Sequence, residues 1–390
     1  MVEKVTRSIV IVGSTGSIGQ QALEVVRAHP AELRVVGLAA GKRLDVLARQ
    51  VHDFKPSYVN APSLTAAQEW HGAITTTLEN LCELPEADLV LIATVGSTGL
   101  APTLTAIRAR KLVALANKEV LVMAGQWVMA EAQRVGVPIL PVDSEHSAVW
   151  QCFAGDCRLG GDLACSSIER IILTASGGAF RDRPIEELAA VSREEALAHP
   201  NWVMGPKVTI DSATLMNKGF EVIEAHWLFG LPYEKIDVLL HRESIVHALV
   251  EFYDGSLRAA LGPPDMRIPV QHALTYPERF PASWPRLKLT EIGKLSFSPL
   301  NRRRYPCFNL ALDAAKTGGT APAVLSAADD VAVRLFLEGK IGFADIPNVV
   351  DRALQAHRLI AQPTLDDVLD ADRRTREDLE ASLDRGTRRA

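Results

Sequence analysis

The stretch Ile11–Val26, "IVGSTGSIGQQALEVV", decides the fold because it joins an apolar run to a helical pattern through three glycines. Gly13, Gly16 and Gly19 follow a GxxGxxG spacing, a variant of the GxGxxG found in many dinucleotide-binding proteins. Glycines let the backbone turn tightly and approach a pyrophosphate, and a helix N-terminus supplies free N–H groups and a positive dipole. The stretch predicts a nucleotide-binding turn between a strand and a helix. The alternative is a glycine-rich turn without a ligand.

Apolar runs and helical patterns alternate throughout the first third of the chain. The runs are "SIVIVG" from Ser8, "LRVVGLAA" from Leu33, "ADLVLIAT" from Ala87, "KLVALA" from Lys111 and "VPILPV" from Val137. This alternation is typical of a parallel sheet with crossover helices on both faces. Residues 1–143 are therefore predicted to form an α/β domain, a Rossmann-like doubly wound parallel sheet that binds the nucleotide.

The pattern changes beyond this domain. Residues 144–275 contain longer loops and strand candidates such as "IERIILTAS", which predict a central α+β catalytic domain with one open antiparallel sheet. Residues 276–306 are rich in proline and are predicted to be an extended linker. Residues 307–390 follow helical periodicity and are predicted to form a C-terminal helical bundle.

Composition narrows the class of protein. With 390 residues, 47% of them hydrophobic and 23% charged, the chain is predicted to be a soluble protein with more than one core. The net charge is −5 and no long Lys/Arg run occurs, which argues against a nucleic acid or an anionic membrane as partner. No apolar run approaches the ~20 residues of a membrane span. Scattered cysteines without CxxC spacing predict reduced thiols and a cytoplasmic location.

The end of the second predicted strand, "GLAAGKRLD", favours NADP over NAD. An NAD site usually has an acid there to bind the ribose hydroxyls, whereas this chain has Gly41, Lys42 and Arg43. The two cations, Lys42 and Arg43, suit the 2'-phosphate of NADP. The alternative is that they are solvated residues on the protein surface without a ligand. A third strand end with glycines, "TVGSTGLAP" from Thr94, is expected beside the same crevice.

The segment "PVDSEHSAV" places Asp143, Ser144, Glu145 and His146 directly after an apolar run. Extended residues two apart share a face, so Asp143 and Glu145 are expected to point at one ion. Two hard oxygen donors favour Mg²⁺ or Mn²⁺ over zinc. The alternative is a solvated turn with Glu145 in an ion pair.

The segment from His199 to Gly230 is the densest polar stretch of the chain. Asp211 or Ser212 is expected to cap a helix with an apolar stripe of Phe220, Ile223 and Trp227. A cation, an amide and a carboxylate share its other side, which suits a phosphorylated, metal-bound substrate; they are Lys218, Asn217 and Glu221. The alternative is a solvated face with a Lys218–Glu221 ion pair.

Three shorter motifs complete the predicted site. "LTASGGAF" ends a strand with Ser176 and two glycines, the kind of small loop that binds phosphate. "NWVMGPK" predicts a mobile lid near residues 199–208, or else a surface hydrophobic pair. "LANKEVLV" places Lys118 at a strand-to-helix junction, where it is expected to reach a substrate oxygen or to satisfy a neighbouring acid.

Eight blocks carry a family resemblance over nearly the whole chain: "GSTGSIG", "NKE", "VDSEHSA", "TASGG", "HPNW", "DSATLMNKGFEVIEA", "LGPPDMRIP" and "GGTAPAVLSAADDVAV". The chain resembles the 1-deoxy-D-xylulose 5-phosphate reductoisomerase family, NADPH-dependent enzymes of the non-mevalonate isoprenoid pathway. The resemblance implies a homodimer that rearranges this phosphosugar with the help of one divalent cation, Mn²⁺ or Mg²⁺. NADPH then reduces the product to 2-C-methyl-D-erythritol 4-phosphate.

The resemblance also implies roles for individual residues. The metal ligands would be Asp143, Glu145 and Glu221, which with Lys118 would form the catalytic set. The substrate would contact Lys118, Ser144, Glu145, Ser176, His199, Trp202, Ser212, Asn217, Lys218 and Glu221. NADPH would contact Thr15, Gly16, Ser17, Ile18, Gly41, Lys42, Arg43, Asn117, Glu119, Gly205 and Met266.

The chain departs from the family pattern at three of its positions. Arg43 stands where asparagine is common, Val203 where serine is common and Pro206 where a basic residue is common. Arg43 keeps or strengthens the predicted 2'-phosphate contact, and the other two change the lid.

Two rival functions are weighed against this resemblance. One is a dehydrogenase similar to aspartate-semialdehyde dehydrogenase, which needs a cysteine nucleophile. Cys152 and Cys157 lie near the part of the chain where that nucleophile is expected. They are nevertheless predicted to be packed thiols, since "WQCFAGDC" offers no evident base. The other rival is a non-catalytic NADP sensor that acts through a partner protein.

Overall fold

The computed structural model of the chain describes residues 6–62, 70, 72–153 and 167–387. Its strands are β1 (Arg7–Val12), β2 (Leu33–Ala39), β3 (Tyr58–Asn60), β4 (Ile74–Thr75), β5 (Leu89–Ile92), β6 (Leu112–Leu115), β7 (Ile139–Pro141), β8 (Ile168–Ala175), β9 (Ile236–Leu240), β10 (Val246–Phe252), β11 (Leu257–Leu261) and β12 (Ser298–Pro299). Its helices are α1 (Ser17–Ala28), α2 (Leu44–Phe54), α3 (Leu78–Glu83), α4 (Leu100–Arg108), α5 (Lys118–Val135), α6 (Ser144–Cys152), α7 (Arg193–Leu197), α8 (Pro206–Thr214), α9 (Met216–Phe229), α10 (Arg267–Thr275), α11 (Leu289–Ile292), α12 (Pro306–Thr317), α13 (Ala321–Leu337), α14 (Ile346–Ala356) and α15 (Leu365–Thr387).

The chain divides into two compact units. The first comprises Met1–Asn117, Val128–Ser166 and Asp265–Leu287, and the second comprises Lys118–Trp127, Ser167–Pro264 and Lys288–Ala390. It stays a prediction that the chain has separate domains or linkers at residues 1–143, 144–275, 276–306 and 307–390.

The first unit contains a seven-stranded parallel sheet in the order β4-β3-β2-β1-β5-β6-β7. The strand order reverses beside β1, and ligands of open parallel sheets bind at such a switch point. Ile9, Val10 and Ile11 in β1 are fully buried, as expected of a central strand that is covered on both faces. The predicted doubly wound α/β fold is confirmed.

The second unit contains a mixed five-stranded sheet in the order β11-β10-β8-β9-β12. β10 is antiparallel to both β8 and β11, but β8 and β9 are parallel. The prediction of a purely antiparallel sheet is therefore wrong. The chain between β8 and β9 passes through α7, α8 and α9, and a crossover of that length brings the next strand back parallel. The predicted linker contains α11 and also β12, which pairs with β9.

The C-terminal helices pack in the same unit as this sheet. α12 packs against α9, and α13 packs against both α14 and α15. Gly219 of α9 allows the close approach to α12, because a Cβ at that position would lie 2.3 Å from the Cβ of Ala311. The C-terminal helical region is confirmed. Among the described residues, no helix combines the length and the apolar character that a membrane span requires.

Candidate active site

The glycine turn between β1 and α1 is closed by backbone hydrogen bonds. The N–H groups of Gly13 and Ser14 both donate to the carbonyl oxygen of Ala39, at 2.9 Å each. Gly13 has φ +92°, and a Cβ there would lie 2.5 Å from the carbonyl oxygen of Ala93, so only glycine suits this position. Gly16 is the N-cap of α1, and no side chain at that position accepts a hydrogen bond from the first N–H groups of the helix. The first N–H groups of α1 can therefore serve as donors to an anion.

The end of β2 contributes the predicted cofactor residues Gly41, Lys42 and Arg43. All three are exposed and lie between β2 and the start of α2. α2 is tied to the glycine turn, since the Ser14 hydroxyl donates to Gln50 Oε1 at 2.8 Å and Gln50 Nε2 donates to the Ser14 carbonyl at 2.9 Å. The helix that follows Lys42 and Arg43 is therefore anchored to the turn that is suited to a pyrophosphate.

Asn117 joins the loops after β5 and β6. Its Nδ2 donates to Thr94 Oγ1 at 3.1 Å and to the Gly96 carbonyl at 3.0 Å. Met266 lies in the same unit, as the N-cap of α10. Lys118 and Glu119, which follow Asn117, belong to the second unit.

The acidic segment after β7 begins a helix. Asp143 is the N-cap of α6, and its carboxylate accepts the N–H of Ser144 at 2.9 Å. The Ser144 hydroxyl donates to Glu145 Oε2 at 2.7 Å. The prediction that Asp143 and Glu145 share one face of an extended chain is wrong, because the helix starts immediately after Asp143. Both carboxylates instead lie at a helix N-terminus, where the positive end of the dipole stabilises negative charge.

Two helices carry the dense polar segment. Asp211 and Ser212 lie inside α8, so the prediction that one of them caps the next helix is wrong. The N-cap of α9 is Leu215, a non-glycine residue in the left-handed region at φ +55°. Phe220 and Ile223 of the predicted stripe are buried, while Trp227 is half-buried.

The polar face of α9 holds a buried network around Glu221. Lys118 Nζ donates to Asn217 Oδ1 at 2.7 Å and to Glu221 Oε1 at 3.3 Å. Asn217 Nδ2 donates to the same Glu221 oxygen at 2.5 Å, and Lys218 Nζ binds Glu221 Oε2. Glu221 is 1% exposed and Lys218 is 4% exposed, so the ion pair is not part of a solvated face. Glu221 thus binds two ammonium groups, and these interactions offset the cost of burying its charge.

The small loop after β8 presents Ser176. A Cβ on Gly178 would lie 2.5 Å from the Ser212 carbonyl oxygen, which shows how closely this loop approaches α8. Ser176 Oγ lies 3.0 Å from His199 Nε2, and the N–H of Gly178 donates to Ser176 Oγ at 3.2 Å. Burial and the charge of Arg181 lower the pKa of His199 to about 4, so its imidazole is neutral near pH 7.

The predicted lid, near residues 199–208, comprises the chain before α8 and the first turn of that helix. Val203 is 97% exposed, and the ring centroid of Trp202 lies 6.0 Å from that of His247. Gly205 is the N-cap of α8, and Pro206 occupies the first turn. Proline suits that position because its missing N–H would have no helical partner there.

A buried ion cluster beside the lid was not predicted from the sequence. Lys207 Nζ lies 2.5 Å from Asp211 Oδ2, 2.9 Å from Asp329 Oδ2 and 3.5 Å from Glu119 Oε1. Burial raises the pKa of both Asp211 and Asp329. The cluster holds α5, α8 and α13 together, and the separation of its members along the chain hides it from pattern reading.

Two of the described cysteines, Cys82 and Cys307, are not activated nucleophiles. Cys152 is buried at the end of α6, and Cys157 and Cys165 lie outside the described residues. Burial raises the pKa of Cys82 to about 12 and that of Cys307 well above its usual range. Thiols of this kind are inert at neutral pH.

Comparison with known proteins gives one consistent result. Models described as 1-deoxy-D-xylulose 5-phosphate reductoisomerase, the C-terminal domain of that enzyme and the DXP reductoisomerase C-terminal domain match residues 9–125, 139–229 and 261–378. The 1-deoxy-D-xylulose 5-phosphate reductoisomerase of Geobacillus kaustophilus is 52% identical, covering 94% of this chain and 97% of the relative. That of Pelotomaculum thermopropionicum is 51% identical, covering 94% and 96%.

Solved structures agree with these relatives. DOX-P reductoisomerase in complex with NADPH, fosmidomycin and magnesium has a TM-score of 0.91 and 37% identity, covering 97% of this chain and 98% of that one. The Zymomonas mobilis 1-deoxy-D-xylulose 5-phosphate reductoisomerase in complex with NADPH has a TM-score of 0.87 and 37% identity, covering 97% and 99%.

Proposed function

The chain belongs to the 1-deoxy-D-xylulose 5-phosphate reductoisomerase family, and on that premise we propose which of its residues perform the reaction. It catalyses the conversion of 1-deoxy-D-xylulose 5-phosphate to 2-C-methyl-D-erythritol 4-phosphate, with NADPH and a divalent cation. The observation that carries the assignment of residues is the buried network of Lys118, Asn217, Lys218 and Glu221.

We propose that Asp143, Glu145 and Glu221 bind one divalent cation, Mg²⁺ or Mn²⁺. All the donor atoms of these three side chains are carboxylate oxygens, the hard ligands that Mg²⁺ and Mn²⁺ prefer. The related DOX-P reductoisomerase binds magnesium. When bound, the cation would polarise the substrate's ketone and stabilise the oxyanions formed during the rearrangement.

The side chains around Glu221 would orient the sugar. Lys118 is held by Asn217 and Glu221, so its ammonium group is positioned before the substrate arrives. We propose that Lys118 donates to a substrate oxygen and stabilises the negative charge that develops there. Ser144 would contact a sugar hydroxyl beside the carboxylates of Asp143 and Glu145.

The phosphate of the substrate would bind where neutral donors and one ammonium group are available. Ser176 ends β8 in a loop with two glycines, and Lys218 supplies the charge. Charge-assisted hydrogen bonds are about twice as strong as neutral ones. The remaining phosphate contacts in this proposal are His199, Ser212 and Asn217. Trp202 would cover the substrate and exclude water.

NADPH would bind along the carboxyl ends of the strands in the first unit. The uncapped N-terminus of α1 suits its pyrophosphate and would place Thr15, Gly16, Ser17 and Ile18 against it. Gly41, Lys42 and Arg43 would receive the adenosine part, with both cations on its 2'-phosphate. Asn117, Glu119 and Gly205 are proposed to line NADPH as well, and Met266 is proposed to lie near its nicotinamide.

We further propose a cytoplasmic homodimer. The edge strand β11 exposes Leu257 and Leu261, by 55% and 42%, and an open edge with apolar side chains favours association with another chain. The buried thiols of Cys82 and Cys307, which form no disulfide, fit a reducing compartment. Sedimentation of the purified protein tests the dimer, and a single monomeric species would contradict it.

The decisive experiment follows NADPH oxidation by absorbance with 1-deoxy-D-xylulose 5-phosphate and either Mg²⁺ or Mn²⁺, before and after chelation. Oxidation that needs both substrate and metal supports the assignment, and the more active ion identifies the preferred one. NADPH binding without oxidation in the presence of metal would instead favour an NADP sensor.

A further inference from the structure

The hydrogen of the His199 imidazole can be assigned from its partners. His199 Nδ1 accepts two backbone N–H groups, that of Asn201 at 3.1 Å and that of Trp202 at 2.9 Å. An imidazole nitrogen that accepts carries no hydrogen, so the single hydrogen of the neutral ring is on Nε2. Nε2 therefore donates to Ser176 Oγ, 3.0 Å away.

This assignment determines the direction in which the Ser176 hydroxyl donates. Its oxygen accepts from His199 Nε2 and from the N–H of Gly178, which occupies the two acceptor positions of a hydroxyl. The hydroxyl hydrogen is then left to donate to another group. In a loop that binds phosphate, that group is a phosphate oxygen.

Asn201 holds the two backbone donors in place. Its Nδ2 donates to the Arg242 carbonyl at 2.6 Å and to Ser244 Oγ at 2.7 Å, in the turn between β9 and β10. The turn is itself fixed, because His241 Nε2 accepts the N–H groups of Ile245 and Val246 at 3.1 Å each. The amide side chain of Asn201 thus connects the start of the lid to a rigid turn.

We propose that Asn201 is a positioning residue for recognition of the substrate's phosphate. It holds the N–H groups of residues 201 and 202 on His199, fixes the histidine tautomer and so makes Ser176 an oriented donor. Asn201 itself touches neither substrate nor cofactor in this account. The inference rests on the proposed function, since it needs Ser176 to bind the phosphate.

Kinetics of Asn201→Ala provide the first test. The KM for 1-deoxy-D-xylulose 5-phosphate should rise about tenfold, the effect of one hydrogen bond, while kcat and NADPH affinity change little. Ser176→Ala should raise KM at least as much. The KM of the double variant should be no higher than that of Ser176→Ala, because both changes act through one hydroxyl.

Asn348→Ala is the matched control, since Asn348 Nδ2 also donates to a backbone carbonyl, that of Ala344. Additive losses in the double variant would overturn the proposal.

Nitrogen NMR of histidine-labelled protein provides a second readout that needs no substrate. The wild-type His199 signals should show Nδ1 without and Nε2 with a hydrogen, and Asn201→Ala should show exchange between tautomers. An unchanged tautomer in that variant would also overturn the inference. If Asn201→Ala does not fold, Asn201→Asp replaces it, because aspartate has the same size and lacks the N–H donors. Failure of wild-type turnover, in contrast, would count against the proposed function alone.

Discussion

The glycine turn of the first unit and the α9 network of the second are built from different parts of the chain. In the turn, backbone N–H groups of Gly13 and Ser14 donate to one carbonyl, and no charged side chain takes part. In the network, charged side chains of Lys118 and Lys218 bind the buried carboxylate of Glu221. The turn depends on space for the backbone, whereas the network depends on balance of charge. Steric changes should therefore damage the first, and isosteric changes of charge should damage the second.

The largest expected effect comes from removing the charge of Glu221. Glu221→Gln keeps the size of the side chain but removes a proposed metal ligand and the carboxylate that binds Lys118 and Lys218. We expect kcat to fall by about 1000-fold, while the NADPH dissociation constant changes little. Steady-state kinetics and fluorescence titration of NADPH measure the two effects. Glu169→Gln, at a half-buried ion pair with Lys235, is the control. Equal losses in turnover and NADPH binding would contradict a role as metal ligand.

A steric change in the turn should have the next largest effect. A Cβ on Gly19 would lie 2.4 Å from the Gly13 carbonyl oxygen, so Gly19→Ala displaces the backbone of the turn. We expect NADPH affinity to fall by about 100-fold, the loss of several backbone hydrogen bonds to a charged group.

Gly41→Ala sharpens this test, because a Cβ at Gly41 would have no described atom within 4 Å beyond its own residue and its two chain neighbours. That variant should fold normally and lose NADPH affinity only if the cofactor approaches this backbone. Full NADPH affinity in Gly19→Ala would show that the turn does not form the pyrophosphate site.

The predicted cofactor site has two adjacent cations, Lys42 and Arg43, after β2. Replacing Lys42 and Arg43 by alanine should weaken NADPH binding by about tenfold and leave NADH binding nearly unchanged. Competition titrations with both cofactors measure this preference. An equal loss for NADPH and NADH would mean that the two cations do not contact a 2'-phosphate.

The smallest expected effect is on the pH dependence of stability, to which one histidine in each unit should contribute in the same direction. Burial and a nearby arginine lower the pKa of His199 in the second unit and of His272 in the first to about 4. The unfolded chain, with a histidine pKa of about 6.5, binds more protons between these values, so stability is lost as pH falls. Each histidine should account for about 1 kcal/mol between pH 7 and pH 5, with allowance for solvent screening. Melting temperatures of His199→Gln and His272→Gln should fall less with pH than those of the wild type. Parallel curves would contradict this account.

Predictions from sequence succeeded where the physical requirement is local. Strands buried on both faces read as continuous apolar runs, and a close backbone turn reads as glycines, so the first sheet and its turn were predictable. The mixed second sheet was not, because the parallel pairing of β8 and β9 depends on a long connection. The helix that begins at Asp143 carried a readable signal that was missed, an aspartate N-cap followed by an acid in the first turn. The left-handed Leu215 carried none.

The sequence by itself determined the parallel sheet, the glycine turn, the choice of acids and amides around α9 and, through its motifs, the family. Only the tertiary structure decided which groups compensate one another: the two lysines on Glu221, the carboxylates around Lys207 and the turn that anchors Asn201. The physical reason is that the free energy of a buried charge or a buried donor depends on its neighbours in space. Some neighbours lie one helical turn away, as Lys218 does from Glu221, but Lys118 and Asp329 come from distant parts of the chain, and their spacing in sequence carries no trace of the contact.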